Sequence, residues 1–143
     1  MSAILSKTQS AIATHLATVD LDPIDETTNI YRGIGNDAMT LPCVVVNAQA
    51  ADASANPSGN WLVHCSIHVR ESADDTTEDE HLTHTATVFN VFLDSAIVAS
   101  LTAALADFTA FGIIYTSISY DLEGRTWIGR LEFDLECAPS DIS

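Results

Sequence analysis

Apolar and polar positions alternate along residues 61–70, and this is the clearest periodicity in the chain. Trp61, Val63, Cys65, Ile67 and Val69 fall on one side of an extended backbone, and the intervening residues, four of them polar, fall on the other. The pattern predicts a strand with one buried face and a second face that is wet or in contact with another subunit. Residues 41–47, a short run rich in valine, predict another strand.

Two segments carry apolar residues at three- and four-residue steps, which predicts helices. The first covers residues 3–18. The second and longer one covers residues 82–105, with apolar positions at Val88, Phe89, Phe92, Leu93, Ile97, Leu101 and Leu105. Asp94 stands where a cap would start a new helix, so the long segment can form one helix or two that abut.

The end of the chain has the pattern of a β-hairpin. Residues 111–122 predict a strand whose one face carries Ile114, Thr116, Ile118, Tyr120 and Leu122. Glu123-Gly124-Arg125 predicts the turn, with glycine supplying a positive φ. Residues 126–137 predict the last strand, and residues 140–143 are expected to fray.

This order of elements predicts an α+β fold, with a mixed or antiparallel sheet of about four strands and helices packed on one face. Neither a repeat nor a boundary divides residues 1–143, so one domain is expected. Residues 23–40 are interpreted as irregular, and residues 48–60 as a loop rich in alanine, serine and asparagine. Residues 71–80 are strongly acidic and predict a mobile loop, because like charges repel.

Charge narrows the classes of partner. The chain has 20 acidic and 5 basic residues and a net charge of -15, which disfavours binding to nucleic acids and to anionic membranes. The acidic surface can serve solubility alone, or it can let DNA pass without sticking. No apolar run approaches the roughly 20 residues that cross a bilayer. Three scattered cysteines predict free thiols and a reducing compartment. Residues 1–19 do not have the continuous apolar run of a signal peptide, so a soluble, cytosolic protein is expected.

Candidate chemistry is sparse. His81 and His84, three residues apart near a helix start, could share a metal ion, although exposed polar residues in a charged loop are the simpler interpretation. His64 and His68 would lie roughly 13 Å apart on a strand, too far to share one. Glu132, Asp134 and Glu136 have the roughly 7 Å spacing that glycosidases also use, but a solvated strand face explains them equally. No catalytic residue and no cofactor are predicted.

The layout as a whole is similar to a known group of proteins. The segment from His84 to Leu105, followed by Phe111-Gly112-Ile113 and by Gly124-Arg125-Thr126-Trp127 through Pro139, resembles the tail terminator and tail-completion proteins of long-tailed bacteriophages. The resemblance covers most of the chain. It lies in element order and apolar spacing and not in an invariant motif.

The resemblance implies a non-enzymatic virion protein at the head–tail junction, made in the host cytoplasm. It would form a ring, usually of six subunits, that caps the tail tube and meets a head-side connector or neck protein, while DNA passes through the acidic lumen. A head-side neck adaptor is the alternative within this class. A small metal-binding domain or enzyme using His81 and His84 is the alternative from another class.

If the chain assembles, the polar strand faces and the acidic segment are the expected contact surfaces. Arg70 and Arg130 stand out because so few basic residues are available to pair with the acids, although exposed ion pairs of small worth would explain them too. The expected contact residues are His64, His68, Arg70, Asp74, Asp75, Glu78, Asp79, Arg130, Glu132 and Asp134.

Overall fold

The computed structural model describes residues 2–21, 24, 29–33, 40–53, 60–94, 96–105 and 108–139. Residues 140–143, which are expected to fray, lie outside these ranges. Along the described chain the elements are α1 (Ser2–Leu16), β1 (Ile30–Arg32), β2 (Cys43–Ala53), β3 (Trp61–Ser72), α2 (Glu78–Leu93), α3 (Ile97–Ala104), β4 (Phe108–Glu123) and β5 (Thr126–Pro139).

The strands form one sheet in the order β1-β2-β3-β5-β4. β1 runs parallel to β2, and the other neighbours are antiparallel, so the sheet is mixed. The α+β prediction is confirmed, with five strands instead of about four. The additional strand is β1, which lies in a segment interpreted as irregular. A strand of 3 residues is too short to show a period of two.

The core lies between the helices and one face of the sheet, here called the helix face. The alternation predicted for β3 is confirmed, because Val63, Cys65, Ile67 and Val69 are at most 2% exposed and belong to this core. On the neighbouring strand Phe133 packs its ring on Phe92 of α2, with 5.7 Å between the centroids. The helices add further buried side chains at Ile4, Ile12, Leu16, Val88, Ile97 and Leu101.

The long helical segment is two helices, which was one of the two predicted alternatives. Asp94 is not the N-cap of the second helix, however: it is the C-cap of α2, and Ala96 is the N-cap of α3. The Asp94 carboxylate accepts a hydrogen bond from the Ala96 N–H at 3.0 Å, and its carbonyl accepts one from the Ile97 N–H at 3.1 Å. The first of these two helices, α2, begins at Glu78, four residues before the predicted start at residue 82. Thr77 caps it, because its hydroxyl accepts from the Glu80 N–H while the Glu80 carboxylate accepts from the Thr77 N–H.

Two loop predictions are wrong in part. β2 continues through Ala53, past a bulge between Ala48 and Ala50, so residues 48–53 are strand. Their composition favours a loop, but pairing with β3 outweighs local preference. The other half of that predicted loop, residues 54–59, lies outside the described ranges. Residues 71–72 likewise belong to β3. The remaining residues 73–80, called the acidic segment from here on, form a short turn followed by the first turn of α2.

β4 has two bulges that change which side its residues face. One lies between Ala110 and Gly112, and the other lies between Tyr115 and Ser117. Each inserts one unpaired residue, which reverses the alternation beyond it. Ile114 pairs with Asp134, whereas Ile118 pairs with Leu131 of the core, so the two isoleucines face opposite sides and the predicted single face is wrong. The turn is as predicted, with Gly124 at φ 62°.

Candidate assembly surfaces

β4 exposes apolar side chains along most of its length. Among the described residues, seven large apolar side chains are exposed, and six of them are on β4. These six residues, here called the β4 surface, are Phe111, Ile114, Tyr115, Ile118, Tyr120 and Leu122, between 41% and 59% exposed. Large apolar side chains exposed together in this way are typical of a surface that contacts a protein, a membrane or a ligand.

A groove runs between β4 and α2 on the helix face. Its floor and walls are formed by Leu82, Ala86, Phe89 and Leu93 of α2 and by Ile118 and Tyr120 of β4. Leu93 is 44% exposed, so the apolar lining continues onto the helix. The groove has the form that receives an apolar segment of another chain.

The outer edge of β4 is an edge of the sheet, since β5 is its only neighbour among the described strands. Near its start this edge is covered, because the Thr102 hydroxyl of α3 bonds both the N–H and the C=O of Ala110, at 3.0 and 2.8 Å. Further along, the Tyr115 hydroxyl donates to the carbonyl of Phe92 and holds β4 against the end of α2. Beyond Tyr115 no described strand lies beside this edge, and the Leu122 N–H donates to the Asp121 carboxylate at 2.8 Å. An uncovered edge of this kind can pair with another strand.

Sequence reasoning missed this surface. The pattern predicts that Ile114, Ile118, Tyr120 and Leu122 share one face of a strand, and it places neither Phe111 nor Tyr115. Period-two alternation alone does not separate a central strand from an edge strand. A usable signal was present: Phe111, Ile114 and Tyr115 lie on both parities of the strand, and such a run cannot all face one core. A strand exposed on both faces fits that run.

The second face of the sheet, opposite the helices, carries most of the predicted contact residues. It is not uniformly wet, as Cys43, Val45, Asn47, Ser66 and Ile128 are buried there. At one end of this face, the His64 imidazole lies between two carboxylates, with Nδ1 2.6 Å from Asp134 Oδ1 and Nε2 2.6 Å from Asp52 Oδ2. Glu132, on the same face, is exposed.

Towards the other end of the second face, basic side chains come together. His68 pairs directly with Arg130 of β5, and Arg70 follows two residues later on the same face. The Arg130 guanidinium donates to Glu123 Oε1 at 2.7 Å. Burial, together with the charges of Arg130 and Arg70, lowers the pKa of His68 to about 4. His68 is therefore neutral at neutral pH.

The pKa values of His64 and His68 are shifted in opposite directions from the ordinary value of 6.5. Hydrogen bonds to Asp52 and Asp134 raise the pKa of His64 in the folded chain, so the stability it contributes is present below about pH 6.5 and is lost as the pH rises through the raised value. For His68 the unfolded chain binds the proton more readily, so stability falls as the pH drops from 6.5 towards about 4.

NMR titration of the histidine rings measures both values directly. We expect His64 to titrate above 6.5 and His68 near 4. His64→Gln should remove only the upper titration. If the rings of His64 and His68 both titrated near 6.5, the result would contradict the contacts assigned to them.

The predicted acidic contact residues Asp74, Asp75, Glu78 and Asp79 are exposed at the turn after β3 and at the start of α2. Asp74 is held by Arg125 of the β4–β5 turn in a bidentate contact. The indole N–H of Trp127 also donates to the Thr76 carbonyl at 2.9 Å. These bonds connect the acidic segment to the hairpin, and the structure has a turn and the start of α2 where the charge predicted a loop.

Glu71, also assigned to that loop, is only 1% exposed and lies on the helix face. Its Oε1 is 2.8 Å from His81 Nδ1, and its Oε2 is 2.6 Å from His84 Nδ1. His81 is 0% exposed and stacks on Trp127. The interpretation of His81 and His84 as exposed loop residues is therefore wrong: they bind one buried carboxylate.

These contacts bear on the metal-site alternative. Each imidazole directs its Nδ1 at an oxygen of Glu71 at hydrogen-bond distance, so the carboxylate is the described partner of both rings. Within the described ranges, no group of three or more His, Cys, Asp or Glu side chains could hold a metal ion.

The cysteines are packing residues. Cys43, Cys65 and Cys137 are free and buried. Burial raises the pKa of Cys43 to about 11 and that of Cys137 to about 12, so neither is a thiolate at neutral pH.

Of the helices in the described ranges, none is by itself long and apolar enough to cross a membrane. α2 and the following α3 segment would pass on length and composition only if taken together, and they are bent by 74°.

Comparison with known proteins gives a likeness at the level of structure. No protein-family model matches the chain, and no curated protein sequence matches it. A solved structure that resembles it is a chain of the "Virion of native gene transfer agent (GTA) particle". The TM-score is 0.56 at 15% sequence identity, and the match covers 90% of this chain and 92% of that chain. At this identity the likeness shows a shared fold.

Proposed function

We propose that this chain is a structural protein of a phage-like virion, and more specifically a tail terminator. In this role, copies of the chain form a ring that caps the tail tube at the head–tail junction. Its partners are other copies of itself, the tube protein and a head-side connector or neck protein, and it carries out no reaction. The likeness to a chain of a gene transfer agent virion, over nearly the whole length of both, supports the virion class.

The observation that carries the proposal is the β4 surface. A strand of 16 residues at the sheet edge, with six large apolar side chains exposed, is an aggregation hazard unless another chain covers it. A ring protein is covered in this way in its working state. Edge pairing and groove filling then supply both affinity and register.

Symmetry sets what β4 must contact in a ring. Two β4 edges that pair antiparallel with each other make a two-fold contact, which closes as a dimer. A ring needs a head-to-tail contact, in which one surface meets a different surface of the next copy. In the proposed ring the β4 surface of one copy therefore contacts a surface other than β4 of its neighbour.

The charge of the chain suits the position at the head–tail junction. Each copy carries a net charge of -15, so a ring of copies would have a strongly negative lumen. Negative potential repels phosphates, and DNA can pass through such a channel without being retained.

The test is a single charge placed on the β4 surface. Ile118 is 59% exposed, so Ile118→Asp should leave the monomer's stability nearly unchanged while abolishing assembly, because an unpaired carboxylate would be buried in the contact. Thr87→Asp, at an exposed position of α2 outside the groove lining, adds the same charge and is the matched control. Mass photometry and negative-stain microscopy of each variant, alone and with tube protein, measure the result.

Rings formed by the unmodified chain and by Thr87→Asp, lost in Ile118→Asp, and able to arrest tube growth would support the proposal. Monomers or two-fold dimers at every concentration, with or without tube protein, would overturn it. Rings that bind a head connector and leave tube growth unchanged would favour a neck adaptor.

A further inference from the structure

We propose that Arg70, His68 and Arg130 form an oxyanion site on the second face of the sheet, and that it receives a carboxylate from the acidic segment (residues 73–80) of a second copy. The inference rests on the proposed self-assembly and names a contact within it. It assigns a partner to Arg70 and His68, each of which has a buried nitrogen atom without a hydrogen-bond partner among the described residues.

Arg70 lacks an acidic neighbour across the sheet. Its register partners are Cys43 on β2 and Ile128 on β5, which are 0% and 3% exposed. The Arg70 Nε atom is buried and has no hydrogen-bond partner in the described part of the chain. A buried donor left without an acceptor is destabilising, because it has lost its hydrogen bonds to water. An incoming carboxylate would remove this destabilising effect.

His68, two residues before Arg70 on the same face of β3, also has a buried nitrogen atom without a partner among the described residues and no acidic residue opposite it. The buried nitrogen is Nδ1. The register places His68 directly between Val45 and Arg130, so no acid lies opposite it on either neighbouring strand. Two orphaned nitrogen atoms on adjacent same-face positions point to one missing ligand.

The charge balance of the site favours an anion. The charges that act on His68 are those of Arg70, Arg130 and Glu123, so two positive charges face one negative charge there. Asp121 and Glu132 lie at neighbouring positions of the same face, so the positive charge is local to this cluster. Two guanidinium groups can hold a carboxylate through parallel N–H bonds.

A second copy is the source that fits best. DNA phosphates would bring a polyanion against a chain of net charge -15, which opposes binding. The acidic segment of another copy instead offers Asp75, Glu78 and Asp79 as exposed carboxylates. Arg125 and Trp127 bind that segment to the β4–β5 hairpin, so the acidic segment and the β4 surface lie on neighbouring parts of the same copy. One copy would then present β4 and its acidic segment, and the next copy would present the second face.

Arg70→Gln tests the site because it removes the charge and keeps most of the side-chain length. We expect the concentration at half-assembly to rise at least about tenfold and its salt dependence to weaken, because a charged contact is lost. Arg32→Gln is the matched control, since Arg32 is exposed on β1 and the net charge changes equally. It should shift the midpoint by less than about threefold. Thermal unfolding of each variant checks that the fold is intact.

A second variant locates the partner. Arg70→Lys keeps the positive charge and places a reactive amine at position 70. Zero-length carbodiimide coupling in assemblies mixed from ¹⁴N and ¹⁵N chains, followed by mass spectrometry, should give mixed-isotope links between position 70 and residues 73–80. Links confined within one chain, or to another segment, would overturn the inference.

The two proposals can fail separately. If Ile118→Asp abolishes rings and Arg70→Gln leaves them unchanged, the oxyanion site is wrong and the β4 contact stands. If Arg70→Gln weakens assembly of a chain that forms no ring and does not cap tubes, the site stands and the tail-terminator role is wrong. A chain that is monomeric under all conditions overturns both.

Discussion

Replacing Glu71 with alanine should lower the free energy of unfolding by about 3–5 kcal/mol, because it removes the shared partner of two imidazoles from a buried site. Glu71 is 1% exposed, and its two oxygens bind His81 Nδ1 and His84 Nδ1. After the substitution, the His81 Nδ1–H would have no acceptor, and water could not reach it because the ring is 0% exposed.

The His81 ring cannot easily move to a new partner. It is stacked on Trp127 with 5.9 Å between centroids. It also lies against Gly129, where an added Cβ would be 3.4 Å from His81 Nε2 and 2.5 Å from the Thr85 methyl carbon. Tight packing on both sides keeps the ring in place, so most of the lost interaction should appear as lost stability.

Denaturant unfolding at neutral pH measures the Glu71 effect, with Glu132→Ala as the control. Glu132 is an exposed glutamate on the adjacent strand, so its substitution should change stability by no more than about 0.5 kcal/mol. Glu71→Gln should fall between the two, because an amide accepts from one imidazole and presents N–H groups to the other. A Glu71→Ala variant within about 1 kcal/mol of the unmodified chain would show that the buried triad is not stabilising.

The Glu71 site also shows where sequence reasoning ends. An acidic run usually forms a solvated loop, and the residues from Asp74 onward are indeed exposed. Glu71 differs only because β3 continues two residues further than predicted and turns that side chain to the helix face. Its partners, ten and thirteen residues later, reach it through the fold of α2 against the sheet.

Local periodicity predicted the parts of the fold that depend on one element at a time. The alternation of β3, the break at Asp94 and the glycine turn at Gly124 are all confirmed. The bulges of β4 were not predicted, because they arise from pairing with β5. The His64 contacts were missed for the same reason: Asp134 is 70 residues away along the chain.

Phe133→Ala and Phe111→Ala form a pair that separates folding from assembly. Phe133 is 1% exposed and stacks on Phe92, so its truncation should lower the free energy of unfolding by about 3–5 kcal/mol through lost burial and a cavity. Phe111 is 50% exposed on β4, and the same truncation there should cost about 1 kcal/mol or less.

Both values come from denaturant unfolding of dilute monomer, with the unmodified chain as reference. Equal losses of unfolding free energy for the two variants would mean that the apolar residues of β4 stabilise the folded monomer. Their exposure would then be no argument that the β4 surface is a contact site. A large loss at Phe133 and a small one at Phe111 would mean that β4 keeps these side chains exposed without benefit to the monomer's fold. A burial partner outside the monomer is the physical explanation for such an arrangement.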